Sequence, residues 1–350
     1  MEKPSPGPAQ LADHQFEQAL AALGADSASR EEKIQMLMEI AMGLQQKPKS
    51  VKQLHDAVAL YDRAIELCHA DEALEVARLT ARKATALHAI PTDDPALLLT
   101  AQFCLESAIP VLAREGSAEE SAEAHMNLGL VLQTLAGFNR ARIGDAIAAY
   151  QVALRTFSRG AHPAEYAILH NNLATAFLSM PATDERSKMR EALAVQSFEA
   201  ALEVVTLVDQ PAEYAMLQNN LGNALQYASS SHVVENNLRA LDAYDEALWV
   251  RTAADTPLEY ANTISNKANC LRNLPDDPTQ PDAGNRKRLL AAKALYEEAR
   301  QIFAAHREDG KAEAMSEVLD GIGEELGNGK PQEFGVDLIS RSTMNGSREN

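Results

Sequence analysis

The chain has 350 residues and a formal net charge of −18, with 46% hydrophobic but only 5% aromatic residues. Strands draw on β-branched and aromatic residues, so an apolar set dominated by Ala and Leu favours helices. The negative charge argues against a nucleic-acid-binding protein, which needs a basic face for the phosphates. The length fits two ordinary domains or one elongated array.

The N-terminal segment MEKPSPGPAQ holds three prolines and no apolar run, so it is not a signal peptide. We expect no fixed structure at 1–10, and a capping helix (at about 11–23) with a linker within 11–30. Residues 327–350 are rich in Gly, Ser and Asn and are expected to form a flexible tail. No segment approaches the roughly 18 uncharged apolar residues of a membrane span. The sequence therefore predicts a soluble, cytoplasmic protein without membrane contact.

The three cysteines, Cys68, Cys104 and Cys270, lie far apart, and no CxxC or CxxH motif accompanies them. Paired spacing is what metal sites and disulfide frameworks require. We therefore expect no metal site and no cofactor. The thiols are interpreted as small apolar core residues in a reducing compartment.

One phrase recurs along the chain at intervals of 45, 45, 48 and 46 residues. It begins with Glu, has Ala two residues later, and reaches a reference position seven residues after the Glu. The Glu–Ala pairs are Glu75/Ala77, Glu120/Ala122, Glu165/Ala167, Glu213/Ala215 and Glu259/Ala261. The reference position and its two followers are Arg82-Lys83-Ala84, Asn127-Leu128-Gly129, Asn172-Leu173-Ala174, Asn220-Leu221-Gly222 and Asn266-Lys267-Ala268.

A second phrase, Ala-x3-aromatic-x2-Ala, alternates with the first. Spacings of four and three residues put all three side chains on one helical stripe, where small residues admit a neighbouring helix and the ring fills the gap. The copies are Ala57/Tyr61/Ala64, Ala146/Tyr150/Ala153, Ala194/Phe198/Ala201, Ala240/Tyr244/Ala247 and Ala292/Tyr296/Ala299, with Leu in the aromatic position of Ala101/Leu105/Ala108. The two phrases together predict a repeated unit of two antiparallel helices.

Local signals mark where the first helix of several units begins. Ser117 with Glu120, and Thr256 with Glu259, fit the capping box, in which two side chains bind the free amides of a helix start. Proline is favoured at the first helical position because an N–H group at that position would have no acceptor within the helix. Three prolines are predicted there: Pro163, Pro211 and Pro257.

Leu128-Gly129, Leu132 and the later Ala146-x3-Tyr150-x2-Ala153 resemble the tetratricopeptide repeat, which has Leu-Gly in its first helix and Ala, aromatic, Ala in its second. The resemblance covers about residues 31–326. The units are longer than the standard 34 residues and are similar to the bacterial arrays found beside caspase-like CHAT domains. No CHAT-like segment is recognised here, so the resemblance is to the array alone. It implies an all-α, right-handed α-solenoid.

About six helix pairs are expected in chain order, followed by a cap with a polar outer face. Their predicted ranges are 31–69, 72–114, 118–158, 163–207, 211–253 and 257–307, with the cap at 311–326.

In such an array the first helices line a concave groove. The resemblance places a ladder of side chains there, and carboxamides suit the alternating donors and acceptors of an extended peptide. The predicted groove residues are Asn127, Asn171, Asn172, Asn219, Asn220, Asn223, Asn266, Asn269, Arg82 and Met126. The alternative is that these Asn residues only tie neighbouring helices together. A carboxylate clamp is disfavoured, because Ala81, Met126 and Asn171 stand where it requires Lys.

The connections between first and second helices are basic in successive units, and stacking would align them along one edge. This edge would dock an acidic or phosphate-bearing partner, or it consists of ordinary solvated loop charges. Its residues are Arg140, Arg142, Arg186, Lys188, Arg190, Arg239, Arg286, Lys287 and Arg288.

The sequence contains no HExxH, GxSxG, GxxxxGK[ST] or GxGxxG motif. The prediction is therefore a non-catalytic scaffold that binds a segment of another protein in the groove. Two alternatives remain open: a regulatory or assembly-chaperone protein that senses a small ligand, and a self-assembling scaffold that forms a homo-oligomer. The sequence names no partner.

Overall fold

The computed structural model describes residues 28–180, 186–228, 232–280 and 284–328. These residues form thirteen α-helices and no β-strand, so the predicted all-α fold of consecutive helix pairs is confirmed. In order the helices are α1 (Arg30–Gln46), α2 (Val51–Leu67), α3 (Ala73–Ala89), α4 (Ala96–Glu115), α5 (Ala118–Gly137), α6 (Ile143–Ala153), α7 (Pro163–Leu178), α8 (Ser187–Leu202), α9 (Pro211–Gln226), α10 (Val233–Leu248), α11 (Pro257–Arg272), α12 (Arg286–Ala305) and α13 (Asp309–Asn328).

The expected N-terminal tail, the expected capping helix at about 11–23 and the expected C-terminal tail lie outside the described residues, except that α13 continues to Asn328. By its internal contacts the chain divides into two units, Met1–Met180 and Pro181–Asn350. Unit 1 contains α1 to α7 and unit 2 contains α8 to α13. The pair expected at 163–207 is therefore divided between the units.

Four of the predicted helix starts follow the local chemistry. Pro163, Pro211 and Pro257 are the first residues of α7, α9 and α11, as predicted. The Ser117–Glu120 capping box is also confirmed: Glu120 N donates to Ser117 Oγ (3.1 Å) and Ser117 N donates to Glu120 Oε2 (2.8 Å).

The capping box predicted at Thr256 and Glu259 is wrong, because Thr256 makes no side-chain cap. Thr256 precedes Pro257 and has φ −136° and ψ 60°, and its hydroxyl turns back to accept from Thr252 N at 3.1 Å. Thr252 also donates from its hydroxyl to Asp255 Oδ2 (2.8 Å). The same turn occurs one repeat earlier, where the Thr206 hydroxyl donates to Asp209 at 2.7 Å. A Thr-x-x-Asp turn therefore sets these two helix starts.

The second phrase forms the core of the helix pairs. Every residue of its six copies is at most 3% exposed, including the rings of Tyr61, Tyr150, Phe198, Tyr244 and Tyr296. Spacings of four and three residues thus did identify the packed stripe of each second helix. Of the three thiols, Cys104 and Cys270 are buried as expected. Cys68 is only partly buried, because it lies at the C-terminal end of α2.

Gly129 and Gly222 let a tyrosine approach the backbone of the first helix. A Cβ atom built on Gly129 would lie 2.4 Å from Tyr150 Cε1, and one on Gly222 would lie 2.5 Å from Tyr244 Cε1. Both rings are fully buried. The Leu-Gly of the repeat is therefore a packing requirement in these two pairs.

Helix α4 is an exception to the prediction that no segment is apolar enough for a membrane span. By length and composition alone it would suffice to cross a membrane. Core helices of globular domains meet the same criterion. Here one face of α4, including Leu98, Leu105 and Leu112, is buried in a cluster with residues of α3 and α5.

Ion pairs join consecutive first helices in unit 1. The Arg30 guanidinium donates to both carboxylate oxygens of Glu72 (2.5 and 2.7 Å), and Arg78 Nε donates to Glu120 Oε1 (2.6 Å). Each pair is separated by 42 residues in the sequence. The hydrogen bonds from Arg30 lower the pKa of Glu72 to about 2.

Candidate functional site

Within unit 1 and within unit 2, the first helices of successive helix pairs lie next to each other and form a layer, here called the first-helix face. In unit 1, α1 contacts α3, α3 contacts α5, and α5 contacts α7; in unit 2, α9 contacts α11. Within the described parts of each unit, no two second helices approach each other as closely. The first helices are thus the more closely spaced layer of each unit, which is where a peptide-binding surface was expected.

In unit 2 this face uses most of its predicted Asn residues internally. Asn266 Nδ2 donates to Asn219 Oδ1 (3.2 Å), which ties α11 to α9. Asn269 Nδ2 donates to the Tyr227 hydroxyl (2.8 Å). Asn223 Oδ1 lies 2.8 Å from the Tyr244 hydroxyl. For these four Asn residues the structure favours the helix-tying alternative.

In unit 1 the corresponding carboxamides are not engaged in this way. Asn171 Oδ1 and Asn172 Nδ2 are shielded from solvent and have no hydrogen-bond partner among the described residues. The reason for Asn172 lies one pair earlier: Met126 occupies in α5 the position that Asn219 occupies in α9, so a thioether replaces the acceptor.

Two further predicted residues have accessible carboxamides. Asn127 on α5 and Asn220 on α9 are partly exposed, and neither makes a hydrogen bond through its side chain within the described residues. Asn127 lies beside Met126 in the chain and on the helix that contacts the one carrying Asn171 and Asn172. Within the described residues, unit 1 therefore carries three carboxamides with unpaired atoms on two contacting helices, α5 and α7.

Apolar side chains lie on the same helix as Asn127. Met126 and Leu130 on α5 are partly buried and pack against a cluster that includes Ile147, Tyr150 and Leu173. Arg82, the remaining predicted groove residue, lies on α3 and is exposed, with Nη1 3.5 Å from the Met42 sulfur. It is the basic side chain of the predicted set on this face.

A recurring glutamine bridge on the first-helix face was not predicted. The Tyr150 hydroxyl donates to Gln133 Oε1 (2.9 Å), and Gln133 Nε2 donates to Thr175 Oγ1 (3.1 Å) on the next first helix. The same arrangement joins Tyr61, Gln45 and Thr85, with distances of 3.2 and 2.7 Å. In unit 2 the Tyr244 hydroxyl lies 2.9 Å from Gln226 Oε1, whereas Gln226 Nε2 has no acceptor in the part of the chain that the structure describes. For Gln133 and Gln226 the available signal was Gln four residues after the Gly of the first phrase, whereas Gln45 lies in a helix without a copy of that phrase.

Burial fixes the protonation state of the donors in these bridges. It raises the pKa of the Tyr61 hydroxyl to about 12 and raises the pKa values of Tyr150 and Tyr244 further. All three hydroxyls are therefore protonated at neutral pH.

The predicted basic edge has residues in both units, with Arg140 and Arg142 in unit 1 and the other seven in unit 2. Arg142 is 87% exposed at its side chain and pairs with Asp145 (2.8 Å). Arg239 pairs with Glu199 (2.5 Å), and Arg286 Nη1 donates to the Leu326 carbonyl (3.2 Å). The side chains of these three arginines therefore each have a binding partner within the protein.

The remaining basic-edge residues are not uniform in environment. Arg190 was expected on a solvated edge but is only 8% exposed, because it lies on the face of α8 that is buried. The backbone amides of Lys287 and Arg288 are bound by the Asp276 carboxylate (2.9 Å each) at the start of α12. Arg140, Arg186 and Lys188 are exposed.

No family model matches the chain, and no curated protein matches it. Among solved structures, the chain is similar to one described as "Crystal Structure of Rap Protein Complexed with Competence and Sporulation Factor", with 12% identity and a TM-score of 0.41. The match covers 94% of this chain and 90% of that one. Similarity at this level does not indicate what the chain binds.

Proposed function

We propose that the chain is a long-unit tetratricopeptide-type array and acts as a non-catalytic scaffold that binds a segment of another protein. Binding would occur on the first-helix face of unit 1, at α5 and α7. The observation that carries the proposal is the group of carboxamides without partners on these two helices, Asn127, Asn171 and Asn172. Most of the corresponding Asn side chains in unit 2 make hydrogen bonds within the protein.

The chemistry suits an extended main chain. A carboxamide offers both donors and an acceptor, so one Asn can bind both groups of a peptide unit. A buried amide without an acceptor is costly in the free protein, and an incoming carbonyl oxygen that reaches Asn172 after a side-chain rotation removes that cost. Met126 and Leu130 on α5 supply apolar surface for the side chains of the bound segment.

The test is capture of a partner from a lysate of the source cells, followed by titration of that partner. We expect Asn127→Ala with Asn172→Ala to weaken binding by about 5- to 100-fold, as two lost hydrogen bonds imply. The matched control is Asn219→Ala with Asn266→Ala, which removes an engaged pair in unit 2 and should leave binding unchanged.

Circular dichroism should show the same helicity for the unit 1 variant and the native chain, because Ala is the better helix former. Unchanged binding in the unit 1 variant would contradict the proposed site. Sedimentation at several protein concentrations separates a partner-binding scaffold from a self-assembling one.

A further inference from the structure

Unit 2 carries a second surface, which we call the turn face: the two Thr-x-x-Asp turns and the residues that flank them, 203–213 and 249–259. Because α9 and α11 run side by side and begin at equivalent prolines, these turns lie at the same end of unit 2. The turn face shares no residue with the α5 and α7 site, so an inference about it does not rest on the proposed function.

The turn face exposes large apolar side chains. Trp249, the one tryptophan of the chain, is 74% exposed at the end of α10. Val208 is 88% exposed, and Leu207 beside it is also exposed. A β-branched and an aromatic side chain at this exposure, in adjacent turns, mark an interaction surface rather than a core.

The charged groups of these two segments are mostly carboxylates. Residues 203–213 and 249–259 hold five carboxylates, Glu203, Asp209, Glu213, Asp255 and Glu259, and one guanidinium, that of Arg251. Arg251 is partly buried and donates from Nη1 to Thr263 Oγ1 (2.9 Å), so its charge is directed to the side chain of α11. The solvent-facing charge of the turn face is therefore acidic.

We propose that the turn face binds a basic, amphipathic helical segment of another protein, with Lys or Arg on one face and aliphatic residues on the other. The indole of Trp249 offers a surface for a cation or an aliphatic side chain, Val208 and Leu207 extend the apolar contact, and the surrounding carboxylates attract the basic groups. The same carboxylates repel phosphate backbones and anionic lipid surfaces.

Trp249 reports directly on occupancy of the turn face, because no other tryptophan contributes to the emission. The full chain is titrated with a synthetic helical peptide of Lys, Leu and Ala, and with a matched peptide in which Glu replaces Lys. The Lys peptide should shift the Trp249 emission to shorter wavelength and reduce its quenching by acrylamide. Its affinity should fall as the salt concentration rises, because salt screens the charges. The Glu peptide should do none of these.

The variant Val208→Ser with Glu213→Gln should weaken the Lys peptide about five-fold or more, since it removes one apolar contact and one charge. The control, Leu99→Ser with Glu106→Gln, alters an exposed apolar residue and an exposed carboxylate on α4 in unit 1 and should bind as the native chain does. The proposal is overturned if neither peptide changes the emission, if both peptides bind alike, or if the two variants bind alike. A blue shift that depends on protein concentration alone also overturns it, because a second copy then covers the turn face.

Discussion

The contact between Gly129 and Tyr150 gives the sharpest prediction for the fold, through the substitution Gly129→Ala. The new Cβ would lie 2.4 Å from Tyr150 Cε1, whereas ordinary contacts begin at 3.4 Å, so the ring must retreat by about 1 Å. Overpacking of this kind costs about 1–3 kcal/mol. The retreat also weakens the bond from the Tyr150 hydroxyl to Gln133, worth about 1 kcal/mol.

The higher helix propensity of Ala stabilises the variant by about 1 kcal/mol, which offsets the weakened hydrogen bond. The net decrease in the free energy of unfolding is therefore about 1–3 kcal/mol. The assay is urea unfolding followed by circular dichroism. The control is Gly43→Ala, also inside a helix, where a Cβ meets nothing within 4 Å. That variant should be more stable than the native chain by up to about 1 kcal/mol.

A second substitution checks the cause of the loss. In the α3–α4 pair, Ala84 and Leu105 occupy the positions of Gly129 and Tyr150, and both are buried. Gly129→Ala combined with Tyr150→Leu should therefore lose less stability than the two single changes add up to. If Gly129→Ala unfolds at the same urea concentration as Gly43→Ala, the close approach of the tyrosine ring does not explain the glycine.

Three further outcomes follow from the same contacts. Tyr150→Phe should lower the free energy of unfolding by about 1–2 kcal/mol in the urea assay, because Gln133 Oε1 loses its donor; Tyr296→Phe, equally buried but without a side-chain hydrogen bond in the described residues, should change it less. The pKa of Glu72 is lowered from 4.5 to about 2, so its pairing with Arg30 stabilises the fold above pH 4.5 and is lost as the pH falls through 2. Unfolding midpoints measured across this window should depend less on pH in Glu72→Gln, and equal slopes would contradict the assignment. Titration with a thiol reagent should label Cys68 first, with the other two thiols reacting only on unfolding; equal rates for all three would show that burial does not protect them.

The sequence predicted the helix pairs because the packed stripe and the first-turn prolines are local signals. It failed at Thr256, where the capping-box pattern is present but the following proline fixes a backbone conformation that turns the hydroxyl toward Thr252. A pattern of residue types does not include that conformation, so the same spacing of Thr and an acidic residue fits both the capping box and the Thr-x-x-Asp turn.

The carboxamides show a different limit. Asn172 and Asn266 occupy the same position of the repeat, yet one lacks a partner and the other binds Asn219. The difference comes from the preceding first helix, which presents Met126 in one case and Asn219 in the other. The role of each Asn therefore depends on a residue about 46 positions earlier (Asn172 and Met126), a relation that appears only once the helices are stacked.

The glutamine bridges also bear on whether one pair can be exchanged for another. Gln45 needs the hydroxyl of Thr85, and Gln133 needs that of Thr175, while α5 presents Leu130 at this position. Excising the α3–α4 segment would leave the Gln45 amide facing an aliphatic chain, even though the shortened protein keeps the Ala-aromatic-Ala stripe in each remaining pair. The helix pairs of this array share the same packed stripe. Their glutamine side chains nevertheless fix the order in which the pairs can follow one another along the chain.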